Sequence, residues 1–205
     1  MKKLAIVSAI ILSASLPAAA ADLIVEDPAI ADPLVLSGFY ANVLGGVALG
    51  GIVDHNFDGG GDHDHDLEGG MSFSAAVGYQ FDNGLGVEVD LFHTSRDEDG
   101  YDYGLATTSL MAGVRYTVDL TDMISVYGGV GVGGIWTNDL IYEDKTTGLG
   151  YQLKAGVEVA VTENLALVGE YRYQDAFADM PGEEYADFAN RAPVHAVMAG
   201  LKLSF

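Results

Sequence analysis

The stretch from Ala192 to Phe205 reads APVHAVMAGLKLSF. From Val194 onward, His195, Val197, Ala199, Leu201, Leu203 and Phe205 share one parity, and Val194, Ala196, Met198, Gly200, Lys202 and Ser204 share the other. An extended strand turns successive residues to opposite sides, so this is a period-two pattern with one apolar face. The chain then stops on an aromatic residue. Terminal residues fray unless something holds them, and a last strand that closes a barrel against the first is held by that pairing. The end of the chain therefore predicts a closed β-barrel, which the other residues test.

The same alternation begins at Ser37. Phe39, Ala41, Val43, Gly45, Val47 and Leu49 oppose Tyr40, Asn42, Gly46, Ala48 and Gly50. A second strand, from about Gly70 to Phe81, sets Met71, Phe73, Ala75, Val77, Tyr79 and Phe81 against Ser72, Ser74, Ala76, Gly78 and Gln80. Asp82-Asn83-Gly84 then supplies the Asn-Gly pair that tight hairpins favour. Third and fourth strands place Leu85, Val87, Val89 and Leu91, then Leu110, Ala112, Val114, Tyr116 and Val118, on the apolar side. The fifth has Ile124, Val126, Val130, Val132 and Trp136 opposite a face of mostly Gly129, Gly131 and Gly133. The sixth runs through Tyr151, Leu153, Ala155, Val157, Val159 and Val161, and the seventh through Leu165, Leu167, Tyr171 and Tyr173. With the closing stretch this predicts an all-β, eight-stranded, antiparallel up-and-down transmembrane β-barrel over residues 37–205.

Soluble sandwiches and lipocalin-like barrels bury the apolar face and wet the polar one. Here the second face is small and carries Glu88, Asp90, Arg115, Lys154, Glu158, Glu170, Arg172 and Lys202, acids and bases in equal number. The chain as a whole has a formal charge of −21. Ordinary surface strands have no reason to balance while their loops do not. A narrow lumen does, because buried charges must be paired to offset their desolvation. The inside-out barrel is therefore preferred, with those eight residues forming a lumen ion-pair network.

Connection lengths and aromatic positions point the same way. Links near 82–84, 119–123 and 162–164 are tight, and those near 54–69, 96–104, 137–148 and 175–191 are long. Strict alternation of short and long suits an outer-membrane barrel with short periplasmic turns and long outer loops. Phe39, Tyr79, Phe81, Tyr116 and Phe205 fall on the apolar face toward the short-turn ends, and Phe73, Trp136, Tyr151, Tyr171 and Tyr173 toward the long-loop ends. These make two interfacial girdles.

Residues 1–21 read as a secretory signal peptide: Lys2 and Lys3, an apolar run from Leu4 to Leu16, then Pro17 and the alanines at 18–21. That core is too short to span a membrane as a helix, which takes about 20 residues. Residues 22–36, with two prolines and four acids, are expected to be a short periplasmic N-terminal leader. The acidic balance excludes nucleic acid as a partner. The absence of cysteine excludes disulfides and thiol chemistry.

In order, "SGFYANVLGG", "VYGGVGVGG", "GYQLKAGVEVAVTENLAL" followed by "EYRY", and the final Phe205 resemble the small eight-stranded outer-membrane barrels of Gram-negative bacteria, the OmpA-like and porin-family surface proteins. The resemblance implies that Phe205 belongs to an assembly signal read by the barrel-assembly machinery. It also implies a structural or surface-exposed role, in some members as adhesin or antigen. Leu203-Ser204-Phe205 departs from the aromatic-basic ending common in that family, and cell-wall tethering through a further domain is not carried over. The expected location is the outer membrane, with loops outside, termini in the periplasm, and lipid and lipopolysaccharide as neighbours. A monomer is expected.

Three functional readings stay open at this level. The lumen is either a solid polar core or a narrow ion path. Eight strands leave an interior that side chains just fill, which favours the solid core. The first long loop, DHNFDGGGDHDHDLEGG, offers His63, His65, Asp62, Asp64 and Asp66 as candidate ligands for a divalent cation, or else is a solvated acidic loop. No other cofactor is expected. A lipid A-modifying enzyme would need outward Ser and His near the loop ends. His93 with Ser95 is the same-face pair on offer, and residues two apart on a strand lie roughly 6.5 Å apart, too far for a dyad. The expectation is that the chain is not an enzyme and that His93 and His195 are interface residues.

Overall fold

The computed structural model describes residues 37–57, 63–97, 104–139, 144–178, 180–181, 188–191 and 193–205. The signal peptide and leader expected over residues 1–36 lie outside them. The strands are β1 (Gly38–Ala48), β2 (Gly51–Phe57), β3 (His63–Leu67), β4 (Gly70–Gln80), β5 (Leu85–Asp97), β6 (Gly104–Asp119), β7 (Ile124–Asp139), β8 (Asp144–Ala160), β9 (Leu165–Ala176), β10 (Met180–Pro181), β11 (Phe188–Arg191) and β12 (Val194–Ser204). Eight of them close a barrel in the order β1-β12-β9-β8-β7-β6-β5-β4, each antiparallel to its neighbours. Each barrel strand pairs with the barrel strand next in sequence, and β12 returns to β1, which is the up-and-down topology.

Closure rests on the last strand. β12 pairs with β1 from Tyr40 opposite Ser204 to Ala48 opposite Ala196. The Phe205 amide donates to the Phe39 carbonyl at 2.9 Å, so the terminal residue is tied into the sheet. Gly38 makes this approach possible. Its φ of 149° suits glycine, and a Cβ there would stand 2.5 Å from the Phe205 carbonyl oxygen.

Alternation places the apolar parity outside. Val43, Val77, Val89, Leu110, Val132, Leu153, Leu167, Val197 and Leu201 are all exposed, while Ser74, Glu88, Asp90, Arg115, Lys154, Arg172 and Lys202 are buried. The aromatics gather at the two ends. Phe39, Tyr79 and Phe81 meet edge to face with centroids 5.1 and 5.0 Å apart at the short-turn end. Tyr151 packs on Tyr173 and Phe177, and His195 on Tyr173, at the other.

The turns have local causes. Gly84 takes φ +84° in the Asn83-Gly84 turn, where its amide donates to the Phe81 carbonyl at 3.1 Å. The other two short links repeat a threonine device. Thr121 Oγ1 accepts from the Met123 and Ile124 amides, and Thr162 Oγ1 from the Asn164 and Leu165 amides. A hydroxyl that holds its own backbone this way competes with the strand ladder and ends it.

Two expectations about the wall need correction. The long links are shorter than the sequence suggests, because β6, β7 and β8 run for 16, 16 and 17 residues. Spanning the bilayer takes about 9–11. Pairing continues past the apolar band through Thr107 opposite Thr137 and Thr137 opposite Thr146, where outward residues are no longer apolar and the sequence signal stops. The links near 54–69 and 175–191 also contain β-structure, a second sheet in the order β10-β11-β2-β3.

The inner face is also less uniformly small than its polar and glycine positions suggested. Leu44, Phe92, Tyr127, Val168, Val194 and Met198 are buried together inside. Glycines on facing strands receive the largest of them. A Cβ on Gly156 would lie 2.5 Å from the Tyr127 ring, and one on Gly78 would overlap Tyr40. Each ring fills space that the glycine vacates.

Candidate functional site: the ionic lumen

The charged inward residues come from five strands, and register determines which of them meet. Glu88 and Asp90 stand on β5, Arg115 on β6, Lys154 and Glu158 on β8, Glu170 and Arg172 on β9, and Lys202 on β12. None has more than 7 % of its surface exposed.

They form two groups. Toward the short-turn end, Glu158 accepts from Arg115 Nη2 at 2.5 Å on one oxygen and from Lys202 Nζ at 2.8 Å on the other. In the middle, Arg172 is the hub. Its Nη1 and Nη2 bind the two Asp90 oxygens at 2.6 and 2.8 Å, and its Nε reaches Glu170 Oε1 at 3.0 Å. This bidentate fork is the geometry in which guanidinium and carboxylate interact most strongly. Lys154 pairs with Glu88 and lies 3.6 Å from Asp90 Oδ2.

Hydroxyls and rings complete both groups. The Tyr40 hydroxyl donates to Glu88 at 2.9 Å, the Tyr127 hydroxyl to Glu170 at 2.6 Å, and Ser74 to Asp90 at 3.0 Å. The Arg115 guanidinium sits 3.8 Å from the Tyr127 ring centroid, and that of Arg172 sits 4.7 Å from Phe92. Every one of the four carboxylates thus has at least two donors. Sequence reasoning missed Tyr40, Tyr127, Phe92 and Ser74 as members of this assembly. A signal was present for the two tyrosines, which fall on the inward parity while the girdle aromatics fall on the outward one.

The loop-end half of the lumen is lined mainly by hydroxyl and amide side chains. Ser109 donates to Gln174 Oε1 at 2.9 Å, Thr107 and Thr137 hydroxyls lie 3.3 Å apart, and Ser72 lies 3.3 Å from Thr94. A cavity of about 10 Å³ opens among Thr107, Thr137, Gln174, Asp175 and Val194, the size that holds one water. Arg96, fully buried above this layer, donates to the Pro193 carbonyl at 2.9 Å. The sequence reading also passed over Arg96.

The outward histidines find partners across strands. His93 Nδ1 is 2.9 Å from Thr108 Oγ1, and His195 Nδ1 is 2.7 Å from the Tyr171 hydroxyl. Ser95, the same-strand neighbour weighed for a dyad, is not the residue that His93 engages. Of the candidate metal ligands, Asp62 lies outside the described residues. His63, Asp64, His65 and Asp66 lie on β3, and their side chains lie outside those described.

A closed eight-stranded barrel with an apolar exterior, two aromatic belts and an ionic interior defines a class, the outer-membrane β-barrel. A family model described as "Outer membrane protein beta-barrel domain" matches residues 6–205, and the chain belongs to that family. It is 28 % identical over 167 residues to a 22 kDa outer membrane protein of Rhizobium leguminosarum bv. viciae, covering 78 % of this chain and 77 % of that one. Among solved structures it resembles neisserial surface protein A, with a TM-score of 0.60, 20 % identity, and coverage of 82 % of this chain and 98 % of that one. The chain is an outer-membrane β-barrel protein.

Proposed function

We propose that this is a structural, surface-exposed barrel whose lumen is sealed, rather than a channel or an enzyme. The observation that carries the reading is the pairing of the mid-lumen charges: Glu88, Asp90, Glu158 and Glu170 are each held by two or more donors, at least one of them from another strand. An ion entering this layer would have to replace a bidentate guanidinium or break a buried pair, and breaking such a pair costs about 3–5 kcal/mol.

The long links and the four-stranded sheet then face the cell exterior, and the short turns and both termini face the periplasm, as an even strand count requires. The signal peptide at residues 1–21 delivers the chain, and Phe205 serves the barrel-assembly machinery. The acidic rim contacts lipopolysaccharide phosphates through divalent cations. Adhesin or antigen roles would be carried by the same outer surface.

Planar-bilayer recording of the refolded chain tests the seal. The expected result is no steady conductance, with current appearing when Arg172→Ala or Arg115→Ala opens the layer. Steady ohmic conductance of the unaltered protein would establish the channel instead. Deleting Phe205 should lower outer-membrane levels of the protein, and normal levels of the truncated chain would refute its assembly role.

A further inference from the structure

We propose that a groove on the outward wall over β6, β7 and β8 seats one acyl chain of lipopolysaccharide, with Lys145 above it answering the lipid's phosphate. The groove has a volume of about 450 Å³, within the range of sites that hold small ligands. Its lining is apolar, with Ala112 and Val114 on β6, Val130 and Val132 on β7, and Leu153 on β8. Register sets them side by side. Ala112 is opposite Val132 and Val132 opposite Tyr151 in one row, and Val114 is opposite Val130 and Val130 opposite Leu153 in the next.

Residue sizes make the hollow. Ala112 stands between the larger outward residues Leu110 and Val114 of the same strand, which lowers the floor. On the β9 side the Tyr151 ring is held against Tyr173 and Phe177, with centroids 6.1 and 5.3 Å away, and this raises an aromatic wall. Toward the loops the Trp136 ring lies over Gly134, where a Cβ would come within 3.2 Å of it. Gly134 is the next outward position after Val132, so the indole borders the upper end of the groove. A flat wall offers lipid only interchangeable contacts, whereas a trough with an aromatic side and end holds one chain in place.

Charge selects the lipid. Among the described residues Lys145 is the one basic side chain that is exposed, since Arg96, Arg115, Lys154, Arg172 and Lys202 are all buried. It shares the outward parity of Leu149 and Tyr151, opposite Asn138, with Trp136 opposite Thr147 one step below. Lys145 lies roughly 13 Å along the strand from Leu149, at a rise of about 3.3 Å per residue. Its flexible apolar stem can bend back over the wall while the ammonium stays at headgroup level. An anionic lipid thus meets this cation directly above the groove, while the lumen cations are out of its reach. Lipopolysaccharide joins phosphate to acyl chains and faces the loop end in the orientation proposed above, on which this assignment rests.

Trp136 is the single tryptophan of the chain, so its fluorescence reports on the groove. The mature chain refolded into vesicles of phosphatidylcholine brominated on its acyl chains should show quenched emission. Unbrominated lipid A should restore emission well before simple dilution of the brominated host does. Dephosphorylated lipid A, or intact lipid A with Lys145→Gln, should be needed at about fivefold higher amount, the contribution of one basic residue near an anionic lipid surface. Ala112→Phe fills the floor and should reduce recovery to the dilution curve. Val43→Phe on β1, four strands away from β7 in either direction round the barrel, should leave it unchanged. Heat-modifiable gel mobility reports that each variant is folded. Recovery that follows dilution in the unaltered protein, or equal effects of the two phenylalanine variants, would overturn the proposal. Equal recovery with unbrominated phosphatidylglycerol would overturn the assignment to lipopolysaccharide, and recovery that tracks protein density rather than lipid A would give the groove to a second barrel instead. Both vesicle leaflets carry the lipid, so the result does not depend on which way the barrel lies in the cell. Labelling of Lys145 on intact cells with a membrane-impermeant amine reagent tests that orientation separately.

Discussion

The barrel wall and the second sheet use the same antiparallel ladder to different ends. In the wall, bulk is matched to vacancy along the ladder, Tyr127 filling the space beside Gly156 and Tyr40 that beside Gly78, while charge is matched across the lumen: Arg172 stands opposite Lys154 in the ladder and gives its fork to Asp90 on a strand that is not its neighbour. In the small sheet, Asp54 is set opposite Asp64 and His55 opposite His63, pairs of like kind that add nothing to strand stability and, for the acids, oppose it. The wall is built to be stable in lipid, where no water can rescue an unpaired group. The second sheet is formed by the long links and is no part of that wall.

Breaking the wall should cost far more than any change in the sheet. Arg172→Ala removes the hub shared by Asp90 and Glu170 and strands two buried carboxylates. Urea unfolding of the refolded barrel should report a loss of about 3–5 kcal/mol, and a loss below about 1 kcal/mol would mean that water already reaches this layer. Gly156→Val comes next. Its added carbons collide with the Tyr127 ring and with the Gly169 carbonyl 2.6 Å away, so about 1–3 kcal/mol is expected for overpacking. Pairing it with Tyr127→Ala should recover part of that loss, and a fully additive double variant would argue against the ring-into-glycine fit.

Tyr127→Phe alone keeps the ring beneath Arg115 and deletes the 2.6 Å bond to Glu170. A hydrogen bond to a charged group contributes about 1.5–3 kcal/mol, so its effect in the same unfolding measurement should lie below that of Arg172→Ala. The smallest change has the opposite sign. Asp64→Asn relieves the charge opposite Asp54 and should slow amide exchange in β2 and β3 by the equivalent of about 0.2–1 kcal/mol. The gain should shrink as salt is added.

Residue order alone determined the class of wall, the number of barrel strands and the inward or outward parity of each of them, because a period of two is a property of one strand and needs no partner. It also put eight charged residues on the inward parity, though not Arg96 or Asp175, and gave the last strand its closing role, read from Leu201, Leu203 and Phe205 on one side and Lys202 on the other. Tertiary structure decided everything that depends on register. It selected Arg172 rather than Lys154 as the bidentate partner of Asp90, brought Tyr127 to Glu170, and extended β7 and β8 past the apolar band. It also set His55 opposite His63. The physical reason is the same in each case: which strands adjoin, and with what offset, is settled by closing the whole ring and filling its interior at once, and no single stretch of sequence carries that information.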